Sequence, residues 1–424
     1  MRNLALTAAA VLCGIQPVPG QSAKVIELRS ADKMENTIIG GEQVRDFVGR
    51  VHFVQPSDSG GAVHLWCDRA LQFLRSGRID CFGNVRMTRE NMKLYSKEGT
   101  YFDRTRNARF SKGVQLERPG MLLTANEGEY DADRKKAHFR NNVVVVDSVS
   151  TTTCDDLTYF DSDERSIAVG HVRVHSPGDG VTVLGDSLVH FGAIDYTIVP
   201  VNPILVQVDT SAAGRLDTLV VTSLMMEAWR DTSQRYVATD SVMMVRNEMA
   251  AVAGRGTYRP QEGILILTKQ PVVWYDENQV SGDSVVARLK NHRLETVYVQ
   301  GRAMAVSRSD TALAQRFDQL TGRELTLYFG DENIERIIAQ RQSISLYYLF
   351  DDKTPNGVNR SSGDRIVVEF SGGQVEQINV TGGVEGQYMP EQMIEGRERI
   401  NNLDGFQWHV RRPRRHGITI TLEE

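Results

Sequence analysis

A repeat of 29 residues is the feature of this sequence that most limits what the chain can fold into. Valines that open short apolar segments lie 29 residues apart, at positions 85, 114, 143 and 172. An aromatic residue stands thirteen residues before each of the last three, at Tyr101, Tyr130 and Tyr159, and Phe191 precedes Ile204 by the same distance. Self-similarity at a fixed period of this kind indicates stacked structural repeats.

Looser copies of the repeat extend in both directions. Gly49-Arg50-Val51 matches the valine segment upstream, and the downstream matches are Ser241-Val242, Pro271-Val272, Gly301-Arg302-Ala303 and Gly383-Val384. About ten units therefore cover residues 45 to 385. We interpret the longer steps between 204 and 242 and beyond 303 as insertions into one repeat array.

Each unit has the pattern of β-strands. Apolar and polar residues alternate in strand-length stretches, and Asp, Asn and Gly clusters separate them. Because side chains of a strand alternate between two faces, one apolar set shares a face: Val85, Met87, Val114, Leu116, Val143, Val145, Val172 and Val174. The other face carries Arg86, Gln115, Glu117, Arg173 and His175. The sequence predicts an all-β, elongated, solenoid-like stack of repeats with one continuous apolar wall. A propeller is disfavoured because its blades need about 40 residues.

Composition excludes several classes of protein. Apolar residues make up 41% of the 424 residues, and 49 Lys and Arg face 54 Asp and Glu, for a net charge of −5. This balance is not that of a disordered chain, and a mildly acidic chain is not expected to bind nucleic acid. Beyond residue 20, no apolar run approaches the roughly 18 residues of a membrane-spanning helix.

The N-terminus predicts a secretory signal peptide over residues 1–20. Arg2 precedes an apolar stretch from Leu4 to Ile15, and Pro17-Val18-Pro19-Gly20 ends it with small residues. A lipoprotein signal ending at Cys13 is the alternative, but Leu12 stands where a small residue is expected. Cleavage leaves Cys67, Cys81 and Cys154, and no Cys or His spacing typical of a metal site occurs. Cys67 and Cys81 flank a predicted turn, so a cross-strand disulfide and buried free thiols both stay open.

The repeat resembles the OstA/LptA family of periplasmic lipopolysaccharide-transport proteins. The motifs that carry the resemblance are Gly83-Asn84-Val85, Glu98-Gly99-Thr100-Tyr101, Glu127-Gly128-Glu129-Tyr130 and Gly170-His171-Val172. The resemblance implies an open, twisted β-jelly roll whose interior holds lipid acyl chains. It therefore implies that the apolar set named above, from Val85 to Val174, lines a lipid-binding groove.

The function predicted from this resemblance is non-enzymatic binding of lipopolysaccharide, or a similar amphiphile, and its transport to the outer membrane. No cofactor and no metal are expected. The expected partners are the lipid and, through pairing of edge strands, other transport-bridge and outer-membrane translocon proteins, and the expected location is the periplasm at the outer membrane. The alternatives are a structural or adhesive surface solenoid and a polysaccharide-acting β-helix enzyme, which would need acidic clusters where the repeat is apolar.

The predicted domains follow from these boundaries. An OstA/LptA-like jelly roll is expected over residues 21–204, and residues 205–385 continue the array with insertions. The tail, residues 386–424, has no counterpart in the repeat and contains Arg411, Arg412, Arg414 and Arg415 around one proline. These arginines suit lipid phosphates, an anionic membrane surface or a partner protein, or simply a solvated terminal segment.

Overall fold

The computed structural model describes residues 26–55, 62–131, 133–210, 216–230, 234–247, 249–290, 293–309, 315–330, 333–352 and 354–414. The predicted signal peptide and Arg415 lie outside these ranges. The contacts divide the chain into two units, the first ending at Pro119 and the second beginning at Gly120. The domain boundaries predicted at 204 and 385 stay predictions.

Within its described residues, the first unit contains seven strands. They are β1 (Glu27–Ser30), β2 (Lys33–Ile39), β3 (Glu42–Gln55), β4 (Val63–Phe73), β5 (Arg78–Arg89), β6 (Met92–Phe102) and β7 (Asn107–Arg118). From β3 to β7, each strand pairs antiparallel with the next, and β1 and β2 both pair with β3.

The second unit contains the remaining strands and two short helices. They are β8 (Met121–Ala125), β9 (Glu127–Asp131), β10 (Lys136–Asp147), β11 (Thr151–Phe160), β12 (Arg165–Ser176), β13 (Val181–Phe191), β14 (Tyr196–Val199), β15 (Ile204–Thr210), β16 (Leu216–Thr222), β17 (Met225–Trp229), β18 (Arg235–Arg246), β19 (Met249–Arg259), β20 (Ile264–Thr268), β21 (Val272–Tyr275), β22 (Asn278–Ser281), β23 (Ser284–Lys290), β24 (Arg293–Arg308), β25 (Phe317–Phe329), β26 (Ile334–Asp351), β27 (Thr354–Ser371), β28 (Gln374–Thr381), β29 (Glu385–Met389), α1 (Glu391–Ile394) and α2 (Glu398–Asn401). Two 3₁₀ turns, Pro177–Asp179 and Gly192–Ile194, flank β13. No helix in the described ranges is long and apolar enough to cross a membrane.

The 29-residue period corresponds to a pair of antiparallel strands. Strands β5, β7, β10 and β12 begin at residues 78, 107, 136 and 165, and each has 12 residues. The strand that follows each of them returns alongside it and ends at the aromatic of the repeat or next to it. The predicted fold class, an all-β stacked repeat of the open β-jelly-roll type, is confirmed.

Strands β5, β7, β10 and β12 each bend at a corner made by two successive residues with positive φ. In β5 they are Gly83 and Asn84 (φ 72° and 45°), and in β12 they are Gly170 and His171 (φ 78° and 45°). The pairing register slips at the same place, between Phe82 and Val85 on β5. Glycine and asparagine adopt this left-handed conformation at low cost, which explains why the repeat carries them before its valine.

The corner places the two halves of a strand in two different layers. The half of β10 before its corner pairs with β9, and the half after it pairs with β8. In the same way β27 pairs with β28 through one half and with β29 through the other. In each unit, we call the layer that contains the halves of β5, β7, β10 and β12 before their corners, and the equivalent halves of β24 and β26, the first wall. The layer that contains the halves after these corners is the second wall. Returning strands such as β27 pass through the two walls in the opposite order.

A charged or polar contact fixes many of the corners. The carboxylate comes from the neighbouring strand or turn, as in Arg50–Asp32 and Lys112–Glu98 (both 2.6 Å) and His171–Asp155 (2.7 Å). These side chains are largely exposed, so each pair contributes little to the free energy of unfolding. The corners of a unit together form the line where its two walls meet, which we call the vertex. Because these contacts repeat along each unit, they hold successive corners in register.

The tail of the second unit returns over the second wall. Residues 390–414, which we call the strap, bury Ile394 and Leu403 against Met304, Leu346 and Tyr348. Arg316, itself 3% exposed, donates to Glu391 and Glu398 of the strap. Arg412 donates to the backbone oxygen of Asp276, so part of the Arg-rich segment is anchored to the protein.

Candidate functional site

In each unit, four of the eight residues predicted to line a groove lie on the inner face of that unit's second wall. In the first unit, Val85, Met87, Val114 and Leu116 are 1%, 6%, 2% and 5% exposed. In the second unit, Val143 and Val172 are buried, and Val145 and Val174 are half-buried. Their outer-face neighbours Arg86 and Gln115 are exposed, whereas Glu117, Arg173 and His175 are half-buried.

Exposure along this inner face increases away from the corner. Each strand contributes two of these residues. The first, such as Val143, follows the corner directly and is almost inaccessible. The second, such as Val145, lies nearer the rim, the edge of the walls that is opposite the vertex. The same order holds for Val85 and Met87. The apolar face is therefore closed at the vertex and more open toward the rim.

The first wall completes the apolar interior of the first unit. Ile79, Cys81 and Phe110 are buried on it. A Cβ on Gly99 would lie 3.2 Å from Phe110 and 3.3 Å from Val85 of the second wall. Glycine in the Glu98-Gly99-Thr100-Tyr101 motif thus allows the two walls to approach each other near the vertex.

A small apolar cleft opens in the first unit. Its cavity volume is about 20 Å³, room for roughly one water molecule. Its lining is Ile26, Gln55, Val63, Leu65, Cys81, Met87, Gly99, Thr100, Tyr101, Ala108 and Phe110. The Tyr101 hydroxyl donates to Oε1 of Gln55 (2.6 Å) at this cleft. Met87 is the predicted groove residue that reaches it. No sequence pattern pointed to Ile26, Gln55 or Val63, because they lie before the repeat becomes regular.

The thiols of Cys67 and Cys81 are free and buried in the same interior. A hydrogen bond with Cys67, together with burial, raises the pKa of the Cys81 thiol well above its ordinary value. The Cys81 thiol is therefore protonated at neutral pH. Both cysteines are buried and act as small apolar side chains of the lining.

The outer face of the first unit carries a row of stacked rings. His52 stacks on Trp66 with ring centroids 4.7 Å apart, and the Arg86 guanidinium lies 4.1 Å from the Trp66 ring centroid. His52 and His64 also share a nitrogen–nitrogen contact of 3.0 Å. In the part of the chain that the structure describes, no three His, Cys, Asp or Glu side chains are grouped as a metal site would need.

Comparison with known families agrees with this geometry. Residues 23–162, about a third of the chain, match the family model described as OstA-like protein. The match includes β5 to β11 and therefore Val85, Met87, Val114, Leu116, Val143 and Val145 of the inner face.

Among solved structures, the chain is similar to LptH of Pseudomonas aeruginosa, described as the LptA-homologous periplasmic component of a lipopolysaccharide transport device. The identity is 12%, the TM-score is 0.27, and the similarity covers 34% of this chain and 95% of LptH. No curated protein matches the chain.

Proposed function

We propose that this protein binds a lipopolysaccharide-type amphiphile in the periplasm, with acyl chains between the two walls of a unit, and passes it toward the outer membrane. The observation that carries the proposal is the apolar inner face at Met87 and Leu116. The preceding residues on the outer face, Arg86 and Gln115, are polar and exposed, and all of them lie in the segment that matches the OstA-like family model. No covalent chemistry is part of this proposal.

The energetic reason is the burial of hydrocarbon. An acyl chain in water gains about 0.8 kcal/mol for each methylene that it buries. Valine, leucine and methionine side chains can accept such a chain without specific hydrogen bonds. A lining of this kind explains why the repeat keeps apolar character at these positions while the residue types vary.

Acyl chains would enter at the rim of the walls. The vertex is closed, because Val85 and Gly99 already approach each other there. At the rim the second wall offers half-buried Val145 and Val174. Binding therefore requires the rims to separate while the corners with their ion pairs stay fixed, and the head group stays in water at the open side.

Edge strands are the proposed contacts with partner proteins of the transport route. Strands β1 and β2 each pair only with β3 among the described strands, and β28 and β29 each pair only with β27. The far edges of such strands offer backbone donors and acceptors that can extend a sheet into another protein.

The proposal is tested by isolating the protein from its native envelope and by titrating it with lipopolysaccharide. We expect a bound amphiphile by mass spectrometry and saturable binding of added lipopolysaccharide. A variant with Leu116→Asp should lose binding, whereas Gln115→Asp on the outer face should retain it. If the native protein carries no amphiphile and binds none, the proposal is wrong.

A structural surface role is the second candidate, and the tight vertex at Gly99 favours it. In that case the two walls would enclose a permanently filled core. No amphiphile would then bind to the wild-type protein.

A further inference from the structure

The inner face of the second wall becomes less apolar along the second unit, from its first strands to its last. In chain order, the first two inner positions after five of this unit's corners hold Val143 and Val145, Val172 and Val174, Val242 and Met244, Ala303 and Ala305, and then Ser343 and Ser345. The fold is the same at each of these corners. The loss of apolar volume toward the C-terminus is therefore a property of the sequence and not of the architecture.

The apolar residues of the last strands lie on the opposite, outer face. Met304 and Val306 of β24 and Leu346 and Tyr348 of β26 form a cluster with Ile394 and Leu403 of the strap. The ring of Trp408 lies 4.9 Å from that of Phe317 on the same side. Because the strap supplies the buried side of this wall, its inner face is released from the requirement to be apolar.

A row of polar side chains crosses this inner face near the rim. Its members are Ser307 on β24, Asp318 on β25, Tyr347 on β26, Asn359 on β27 and Tyr388 on β29. Ser307 pairs with Asp318, Tyr347 with Asn359, and Asn359 with Tyr388. Asp318 is close enough to raise the pKa of Tyr347 after the larger effect of burial. The five residues therefore lie side by side on five adjacent strands, and we call them the polar row.

The polar row has the chemistry of a surface for hydroxyl groups. It combines a hydroxyl, a carboxyl, an amide and two phenol rings, and it includes no cation. Ser309 donates to Asp318, as does the backbone N–H of Tyr348, so this carboxyl is held in place. Asn359 is exposed. Tyr388 is 52% exposed and its hydroxyl donates to the backbone oxygen of Asn356 (2.5 Å), so its ring is held in place and its oxygen can accept a hydrogen bond. A phenol ring offers an apolar face together with a polar edge, which suits the alternating C–H and O–H groups of a sugar.

We propose that the polar row binds the saccharide part of the amphiphile, at the end of the second unit where the apolar lining ends. This inference rests on the proposed function, since it assigns the head group of the same ligand. It commits to recognition by hydrogen bonds and ring contacts and not by ion pairs with phosphate.

The test compares three probes on the full chain: complete lipopolysaccharide, lipid A without the outer saccharide, and the deacylated oligosaccharide. In the double variant Asn359→Ala/Tyr388→Leu, we expect the affinity for complete lipopolysaccharide and for the oligosaccharide to fall about tenfold, because each residue supplies about one hydrogen bond or ring contact. The affinity for lipid A should stay within about twofold.

The matched control is Arg360→Ala/Gln387→Ala, which changes the next residue on each of the same two strands, on the outer face. This control should bind all three probes like the wild type. Equal loss of lipid A and lipopolysaccharide in the test variant, or no loss of either, overturns the assignment. If the wild type binds the oligosaccharide through the polar row but binds neither acylated probe, the saccharide site stands and the proposed function fails.

Discussion

At the scale of single residues, the glycine of the Glu98-Gly99-Thr100-Tyr101 motif has a steric role. Its backbone has no positive φ, so an alanine at position 99 is not strained by conformation. The added methyl group would instead lie 3.2 to 3.3 Å from Phe110 and Val85. The separation of the walls near the vertex thus depends on the absence of a side chain here.

We expect Gly99→Ala to lower the free energy of unfolding by about 1 to 3 kcal/mol, because it overfills a closely packed interior. Chemical denaturation followed by circular dichroism measures this change. Gly386→Ala is the control, since a Cβ at Gly386 would contact nothing within 4 Å. An equal, small effect of both substitutions would contradict the close approach of the walls.

The pKa values of two histidines of the second unit are expected to be shifted in opposite directions from the ordinary histidine pKa. A hydrogen bond with Asp155 raises the pKa of His171, and burial lowers the pKa of His190. The His171–Asp155 pair therefore stabilises the fold at pH values below the ordinary histidine pKa, and this contribution is lost as pH rises through the raised value. His190 has the opposite sign and disfavours the fold as pH falls.

A titration followed by NMR should show His171 protonated up to a higher pH than His190. The substitution Asp155→Asn should bring the pKa of His171 down toward its ordinary value and leave that of His190 unchanged. If His171 titrates at the same pH in both proteins, the corner contact does not exist in solution.

At the scale of the strand, depth below the rim decides what a position tolerates. Val143 and Val145 are on the same face of β10 and two residues apart, yet Val143 is 1% exposed and Val145 is half-buried. We expect Val143→Asp to cost several kcal/mol of stability, because its carboxylate would be buried without a partner. Val145→Asp should fold with a modest loss and bind lipopolysaccharide poorly. Thermal melts with binding assays measure both, and equal destabilisation would contradict the gradient from vertex to rim.

The repeat made the strands predictable, while the corners and the tail were not. The spacing from Val85 to Val172 gives the strand pairs and the inner face, because period-two alternation follows directly from backbone geometry. The bend at Gly83-Asn84 is visible in the sequence as two residues that tolerate positive φ before the valine. That the bend divides each strand between two walls follows only from the pairing partners of the two halves, which the sequence does not show. Arg316 and the strap left no signal, since their contact joins residues far apart in sequence and outside the repeat.

At the scale of the whole molecule, each unit is a folded stack of bent strands whose inner face is apolar and whose corners are charged. The second unit adds the strap and the polar row. In the second wall of its last strands, apolar side chains pack under the strap on the outer face, and polar side chains lie on the inner face near the rim, while the first wall of the same strands stays apolar. We assign the acyl chains to the apolar inner faces. The direction of each side chain, and not its apolar character alone, decides whether it contacts lipid.

The most direct test places a photo-crosslinking residue at Val145 or at Val146, in the presence of lipopolysaccharide. Both positions are valines on β10, and Val146, on the outer face, is the more accessible at 41% exposed. The account predicts that lipid is captured at Val145 and not at Val146, and likewise at Leu116 and not at Gln115. Equal capture at the two positions of each pair, or capture only at the outer ones, would contradict the assignment of acyl chains to the space between the walls.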